Sequence, residues 1–126
     1  RCKMKETTKI QHTWRYQKYN VMMRNYKDYQ RIQALIKQGA SFKVVDATIQ
    51  EILIKPIEHP AFMNTFQHLW GYFKKIATPS EKERYTSLLK QLDMQTVAYD
   101  TCIQFIQHLT LKYEQPYLLQ SAIMKL

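Results

Sequence analysis

Apolar residues recur every three to four positions through most of the chain, which is the period of an α-helix and not the alternation of a half-buried strand. The sharpest run is Phe62, Phe66, Leu69, Phe73 and Ile76, spaced four, three, four and three. It predicts a helix from about Pro60 to Ala77 with that stripe against a core. Upstream, His12, Tyr16, Tyr19, Met23 and Tyr26 form an inward stripe on a helix from about Thr8 to Arg24. Tyr29, Ile32 and Ile36 follow out of phase with it, so a bend is expected near Asn25, a favourable cap, and a second helix from Tyr26 to Gln38. Gly39 then supplies a stop, and Ser41 caps a third helix of Val45, Ile49 and Ile52 that Pro56 ends. In "TPSE", Thr78 is an N-cap, Pro79 sits at the first helical position and Glu81 completes a capping box, so a fifth helix starts there and buries Tyr85, Leu88, Leu89 and Leu92. A sixth, from about Thr96 to Tyr113, buries Tyr99, Ile103, Ile106 and Tyr113, and Pro116 opens a short last one. The expected fold is all-α, a compact bundle of about six to seven helices joined by short connections. It forms a single domain over residues 1–126, with residues 1–8 read as a flexible basic tail or linker remnant.

Composition agrees with that class. A hydrophobic share of 45% with 13% aromatics is too rich for a disordered chain, and two glycines and four prolines are too few for the turns of an all-β fold. No apolar run approaches the roughly 18 residues of a bilayer span, and the opening "RCKMKETTK" has no hydrophobic leader core. A cytoplasmic chain with no membrane partner is expected. Cys2 and Cys102 fall in no metal-ligand spacing and are read as free thiols. The start at Arg1 in place of a methionine fits a domain cut from a longer protein.

Charge changes the picture more than composition does. Residues 1–43 hold eleven Lys or Arg against Glu6 and Asp28, whereas residues 44–126 hold eight of each sign, so the first third carries the whole net charge of +9. A segment of that kind attracts polyanions such as nucleic acid. Its cations are interleaved with rings, and Lys9, Arg15, Lys18, Arg24, Lys27 and Arg31 are the residues expected to contact phosphates while exposed rings stack on unpaired bases. The plainer reading puts most of the tyrosines in the core and leaves the cations on a solvated face. No residue set resembles a helix-turn-helix or other groove reader, so RNA is favoured over duplex DNA.

The remaining candidate chemistry lies in "NTFQHLWGYFKK", residues 64–75. Asn64, His68, Gly71 and Lys75 form a second stripe on the helix whose apolar face is Phe62 to Ile76. A glycine inside a helix costs about 0.5–1 kcal/mol relative to alanine, so Gly71 points to a close approach by another backbone or by a ligand. No carboxylate lies at helical spacing to orient His68, and His12, His59 and His108 stand outside HxxxH or HExxH patterns. No cofactor and no metal are expected, and neither is catalysis by this chain alone.

Together these stretches resemble the YbgA-like domain family, a bacterial domain of unknown function. The resemblance covers nearly the whole chain and is strongest at Asn64, Gln67, His68, Gly71, Tyr72, Phe73 and Lys74, followed by "TPSEKE". It extends to Lys18 and Tyr19 in "KYNVMM", to Tyr29, and to Pro116, Tyr117 and Gln120 in "QPYLLQ". The family commonly has histidine before that lysine, where this chain has Gln17, which leaves that ring's role without a carrier here. In the family the domain stands alone or is fused behind an iron–sulfur desulfidase that removes sulfur from thiouracil-type bases, including thiouridine in transfer RNA. The resemblance thus implies an accessory module that binds RNA, transfer RNA above all, and presents it to a desulfidase, with Asn64, His68, Gly71, Tyr72 and Lys74 as a polar site. Two alternatives stand beside it. One is a protein-docking domain for a desulfidase or another nucleic-acid enzyme. The other is a free-standing enzyme using His68, which needs a concave pocket and a second ionisable group.

Overall fold

The computed structural model describes residues 5–126. Among them the chain forms seven α-helices, α1 (Glu6–Met22), α2 (Tyr26–Lys37), α3 (Phe42–Leu53), α4 (His59–Trp70), α5 (Pro79–Asp93), α6 (Tyr99–Tyr113) and α7 (Pro116–Leu119), and closes with a 3-10 turn over Ala122–Lys125. The protein is all-α.

Caps punctuate the helices where the residues for them exist. Asn25 accepts from the Asp28 N–H at 3.0 Å and starts α2, and Ser41 accepts from Val44 at 3.3 Å and starts α3. Between them Gly39, at φ +80, takes the left-handed conformation that ends α2 and that a side chain would strain. At α5 the capping box closes in both directions. Thr78 Oγ1 accepts from the Glu81 N–H at 3.1 Å, and the Glu81 carboxylate accepts from the Thr78 N–H at 2.9 Å.

α1 packs on α2, α3, α4 and the closing 3-10 turn, while α4 packs on α5 and α6. The α1–α4 contact therefore joins two halves of one core. Phe62, Phe66, Leu69 and Phe73 are buried there as their spacing predicts. Ile76 is not: it is 56% exposed. Regular helix stops at Trp70, and the chain continues to Ile76 in tight turns with Tyr72 N–H to Leu69 and Phe73 N–H to Trp70 bonds. Their three-residue period carries Ile76 out of the stripe.

The first helix also differs from its reading. It begins at Glu6, so residues 6–8 are helical and not a tail; residues 1–4 lie outside the described residues. His12 and Tyr16 face solvent, as does Tyr26 at the start of α2, while Ile10 is buried and Tyr19 through Met23 are all enclosed. The last turn of α1 sits among the neighbouring helices, so no one-sided stripe describes it. α6 begins at Tyr99 instead of Thr96, whose hydroxyl donates back to Gln91 O at 3.1 Å and finishes α5.

Glu81 also ties α5 to α6. Lys112 Nζ lies 2.6 Å from its Oε2, and the Tyr113 hydroxyl donates to Oε1. Desolvation alone would raise this carboxyl, but hydrogen bonds from Lys112, Tyr113 and the Thr78 N–H outweigh it and hold the group down at about 2, against an ordinary 4.5. A depressed carboxylate contributes stability that is complete above its unfolded value and is lost as pH falls through the folded one. Stability is thus expected to drop between about pH 4.5 and pH 2. Glu81→Gln should be less stable at neutral pH and flatter across that window in denaturant titrations. An identical pH profile in the variant would remove Glu81 from the acid response.

Candidate nucleic-acid interface

Three elements converge on one face. On α1, Arg15, Lys18 and Tyr19 lie within one turn of each other and point the same way. His68, Gly71 and Tyr72 come from the end of α4 and the turns after it. Tyr117 comes from α7, whose position is locally determined. Glu114 ends α6 in the left-handed conformation at φ 51, Gln115 accepts from the N–H groups of Tyr117 and Leu118 at 2.7 and 3.3 Å, and Leu118 is buried.

The rings form a cluster. Tyr19 and Tyr72 meet edge to face with their hydroxyl oxygens 2.9 Å apart, and Tyr72 stacks on Tyr117 with centroids 6.2 Å apart and planes 20° apart. The Arg15 guanidinium lies over the Tyr117 ring at 4.9 Å, and Lys18 Nζ is 6.0 Å from Tyr117 and 5.8 Å from Tyr19. Burial, the Tyr72 hydrogen bond and the neighbouring phenols push the Tyr19 pKa far up, so this phenol stays neutral and is no nucleophile. Burial also raises Tyr117, partly offset by Arg15.

Tyr19, His68, Gly71 and Tyr72 line a shallow depression of about 230 Å³ beside these cations. A Cβ on Gly71 would meet His68 O of its own chain at 3.0 Å, and nothing else comes nearer than 4.0 Å. No other helix crosses at this glycine, so the approach expected there from a neighbouring backbone is absent. The His68 ring centroid is 6.3 Å from that of Tyr19, and among the described residues no carboxylate forms an ion pair with His68.

The other predicted residues lie apart. Asn64, one turn before His68, lines a separate and larger depression of about 640 Å³ with Asn25, Tyr26, Lys27, Glu58, Pro60 and Ala61. Lys74 is exposed and lines neither. Lys9 lies 5.1 Å over the Phe42 ring, near the other end of α1. Two of the six cations are engaged within the fold. Arg24 donates to Asn20 O and Oδ1 at 2.7 Å each and to Lys55 O at 3.0 Å, fastening the end of α1 to the end of α3, and burial lowers its pKa. Arg31 sits 3.3 Å from Glu51 and 3.8 Å from Asp28. The polar five and the basic six are therefore not two compact sites. Arg15, Lys18, His68, Gly71 and Tyr72 meet at one, with Tyr19 and Tyr117.

Residue periodicity does not place Tyr117 in this group, because its partners Tyr72, Tyr19, Lys18 and Arg15 lie from 45 to about a hundred positions away in sequence. The local signal was Gln115–Pro116, a cap and a first-turn proline that fix where a ring one residue later must point. Elsewhere, His59 Nδ1 and the Tyr99 hydroxyl are 3.4 Å apart beside a cavity of about 350 Å³. Among the described residues no group of three or more His, Cys, Asp or Glu is placed to hold a metal, and no helix is long and apolar enough to cross a membrane.

A family model described as "Protein of unknown function (DUF1722)" matches residues 18–126. The match takes in every residue of the cluster except Arg15. No curated protein and no solved structure matches the chain.

Proposed function

Because the chain belongs to the DUF1722 family, whose description assigns no activity, we propose its function from its own surface: an accessory RNA-binding module, with transfer RNA as the favoured ligand. The observation that carries the reading is the placement of Arg15 and Lys18 against the Tyr19, Tyr72 and Tyr117 rings, in a chain whose whole net charge lies in residues 1–43. Cations answer phosphates, and rings with a free face or edge stack on bases that are not already paired. Lys27, exposed at a separate depression, is a further cation open to a phosphate. The resemblance to the YbgA-like domain supplies the rest of the proposal: the module presents its RNA to a thio-base desulfidase in the bacterial cytoplasm, either as a partner protein or as a fused domain.

His68 is the residue on which an enzyme would turn. Its neighbours in the recess are two phenols and a glycine, the Tyr19 phenol is held neutral by burial, and among the described residues no carboxylate pairs with His68. Binding is the chemistry this surface supports. The test is titration of the purified chain with bulk transfer RNA and with a DNA duplex of matched length. Preference for the RNA is expected, and equal affinity for the two would reduce the surface to an unspecific polyanion binder.

A further inference from the structure

Resting on that RNA-binding reading, we propose that the recess lined by Tyr19, His68, Gly71 and Tyr72 seats one unpaired nucleotide, whose phosphate lies on Arg15 and Lys18. The module then grips its RNA at an extruded or single-stranded base, and duplex segments are held by charge alone.

Four features lead there. The first is size. At about 230 Å³ the recess is smaller than the ~300–1,000 Å³ usual for drug-sized ligands, and it suits one base or sugar. A base within a duplex has both faces covered and its backbone on the outside, so it cannot enter.

The second feature is the arrangement of ring and charge. The Arg15 guanidinium carbon lies 4.9 Å over the Tyr117 ring and Arg15 has no carboxylate partner among the described residues, so its N–H groups can serve a phosphate, and Lys18 adds a compact charge one turn along the same helix face. A nucleotide whose phosphate is held there has its base at the half-buried Tyr72 ring and the exposed His68 ring.

Third, the Tyr19–Tyr72 hydroxyl pair is an unsaturated donor. Whichever oxygen donates across the 2.9 Å contact, the other keeps its own O–H. Tyr19 is 2% exposed, and donation to Tyr72 is what keeps its buried O–H from being left unpaired, so the half-buried Tyr72 hydroxyl keeps its own proton, placed to donate to a base carbonyl, a ring nitrogen or a ribose oxygen.

The fourth is Gly71, which keeps one wall free of side chain where no other element fills the space.

The test uses an RNA strand of about eight nucleotides, within the footprint of single-strand binders, carrying the fluorescent base aminopurine at its centre, and the blunt duplex made from it. The single strand is expected to bind roughly tenfold more tightly than the duplex, with the probe's fluorescence quenched by stacking only in the strand. His68→Ala, at an exposed position, should weaken strand binding roughly fivefold and reduce the quench while duplex binding and the salt dependence stay as they were. Tyr72→Phe keeps the ring and removes the outward hydroxyl, so it should retain the quench and lose part of the strand preference. Equal binding of strand and duplex without quenching overturns the nucleotide seat and leaves the RNA-binding reading intact. No binding of either RNA by the wild-type chain overturns both.

Discussion

Phe66→Ala is expected to lower the stability of this domain by about 4 kcal/mol. The ring is 1% exposed and stands at the centre of the α4 stripe, with Phe62, Tyr85 and Phe105 rings at centroid distances of 6.4, 5.2 and 6.5 Å. Its neighbours are large, flat and anchored in three different helices, so they cannot collapse into the space a methyl group leaves. The loss therefore includes most of the cavity cost as well as the lost transfer energy. For a domain of this size each kcal/mol shifts Tm by about 4 °C, so a fall of roughly 15 °C is expected in a thermal melt. Typical domains hold only about 5–15 kcal/mol, so the variant should be close to the edge of folding at physiological temperature. Ile76→Ala, on the same nominal stripe but exposed, should change Tm by no more than a degree or two. Comparable losses at the two positions would mean that the stripe runs on to Ile76 and that the turns after Trp70 are misplaced.

The largest expected effect on binding comes from reversing two charges. Each phosphate contact contributes about one power of ten to affinity at roughly 50 mM salt, so Arg15→Glu with Lys18→Glu should weaken transfer RNA binding by roughly a hundredfold under those conditions and flatten the salt dependence by about two contacts. The same double reversal should leave the fold in place. Arg15 is exposed and Lys18 half-buried, and the contact with Tyr117 that is lost is worth about 0.5–1 kcal/mol at a surface site. Reversing Arg24 instead would mainly destabilise the protein, since its guanidinium holds Asn20 and Lys55 carbonyls together. An unchanged affinity in the folded double variant would take the phosphates elsewhere.

Much of this architecture was legible in the residues. The α4 stripe, the Thr78 capping box, and the Asn25 and Ser41 caps each state their structure within a few positions, because helix period and cap geometry are local. The phase of α1 was not. Its last turn is enclosed on all sides, so Tyr19, Asn20, Val21, Met22 and Met23 are buried in succession and no periodic pattern marks the face. The closing turn at Ala122 and Ile123, buried against α1, is too short to carry a period at all. Among the basic residues, Arg15, Arg24 and Arg31 look alike in sequence. Whether each finds a ring, a carbonyl or a carboxylate depends on α7, on the end of α3 and on Glu51, all distant along the chain. The cluster of Tyr19, Tyr72 and Tyr117 is the same kind of fact: the resemblance singled out each of these residues, and only the tertiary packing of α1, α4 and α7 brings them together.

The basic, ring-lined face is proposed to bind RNA. The most direct measurement is fluorescence anisotropy of labelled bulk transfer RNA with the purified chain across a salt series, beside a DNA duplex of matched length. With Arg15 and Lys18 on this face, and Lys27 and Lys9 apart from it along an extended RNA, supplying about three to four phosphate contacts, log affinity should fall against log salt with a slope of roughly −2 to −4, with the RNA bound more tightly than the duplex throughout. No transfer RNA binding even at the lowest salt would contradict the claim.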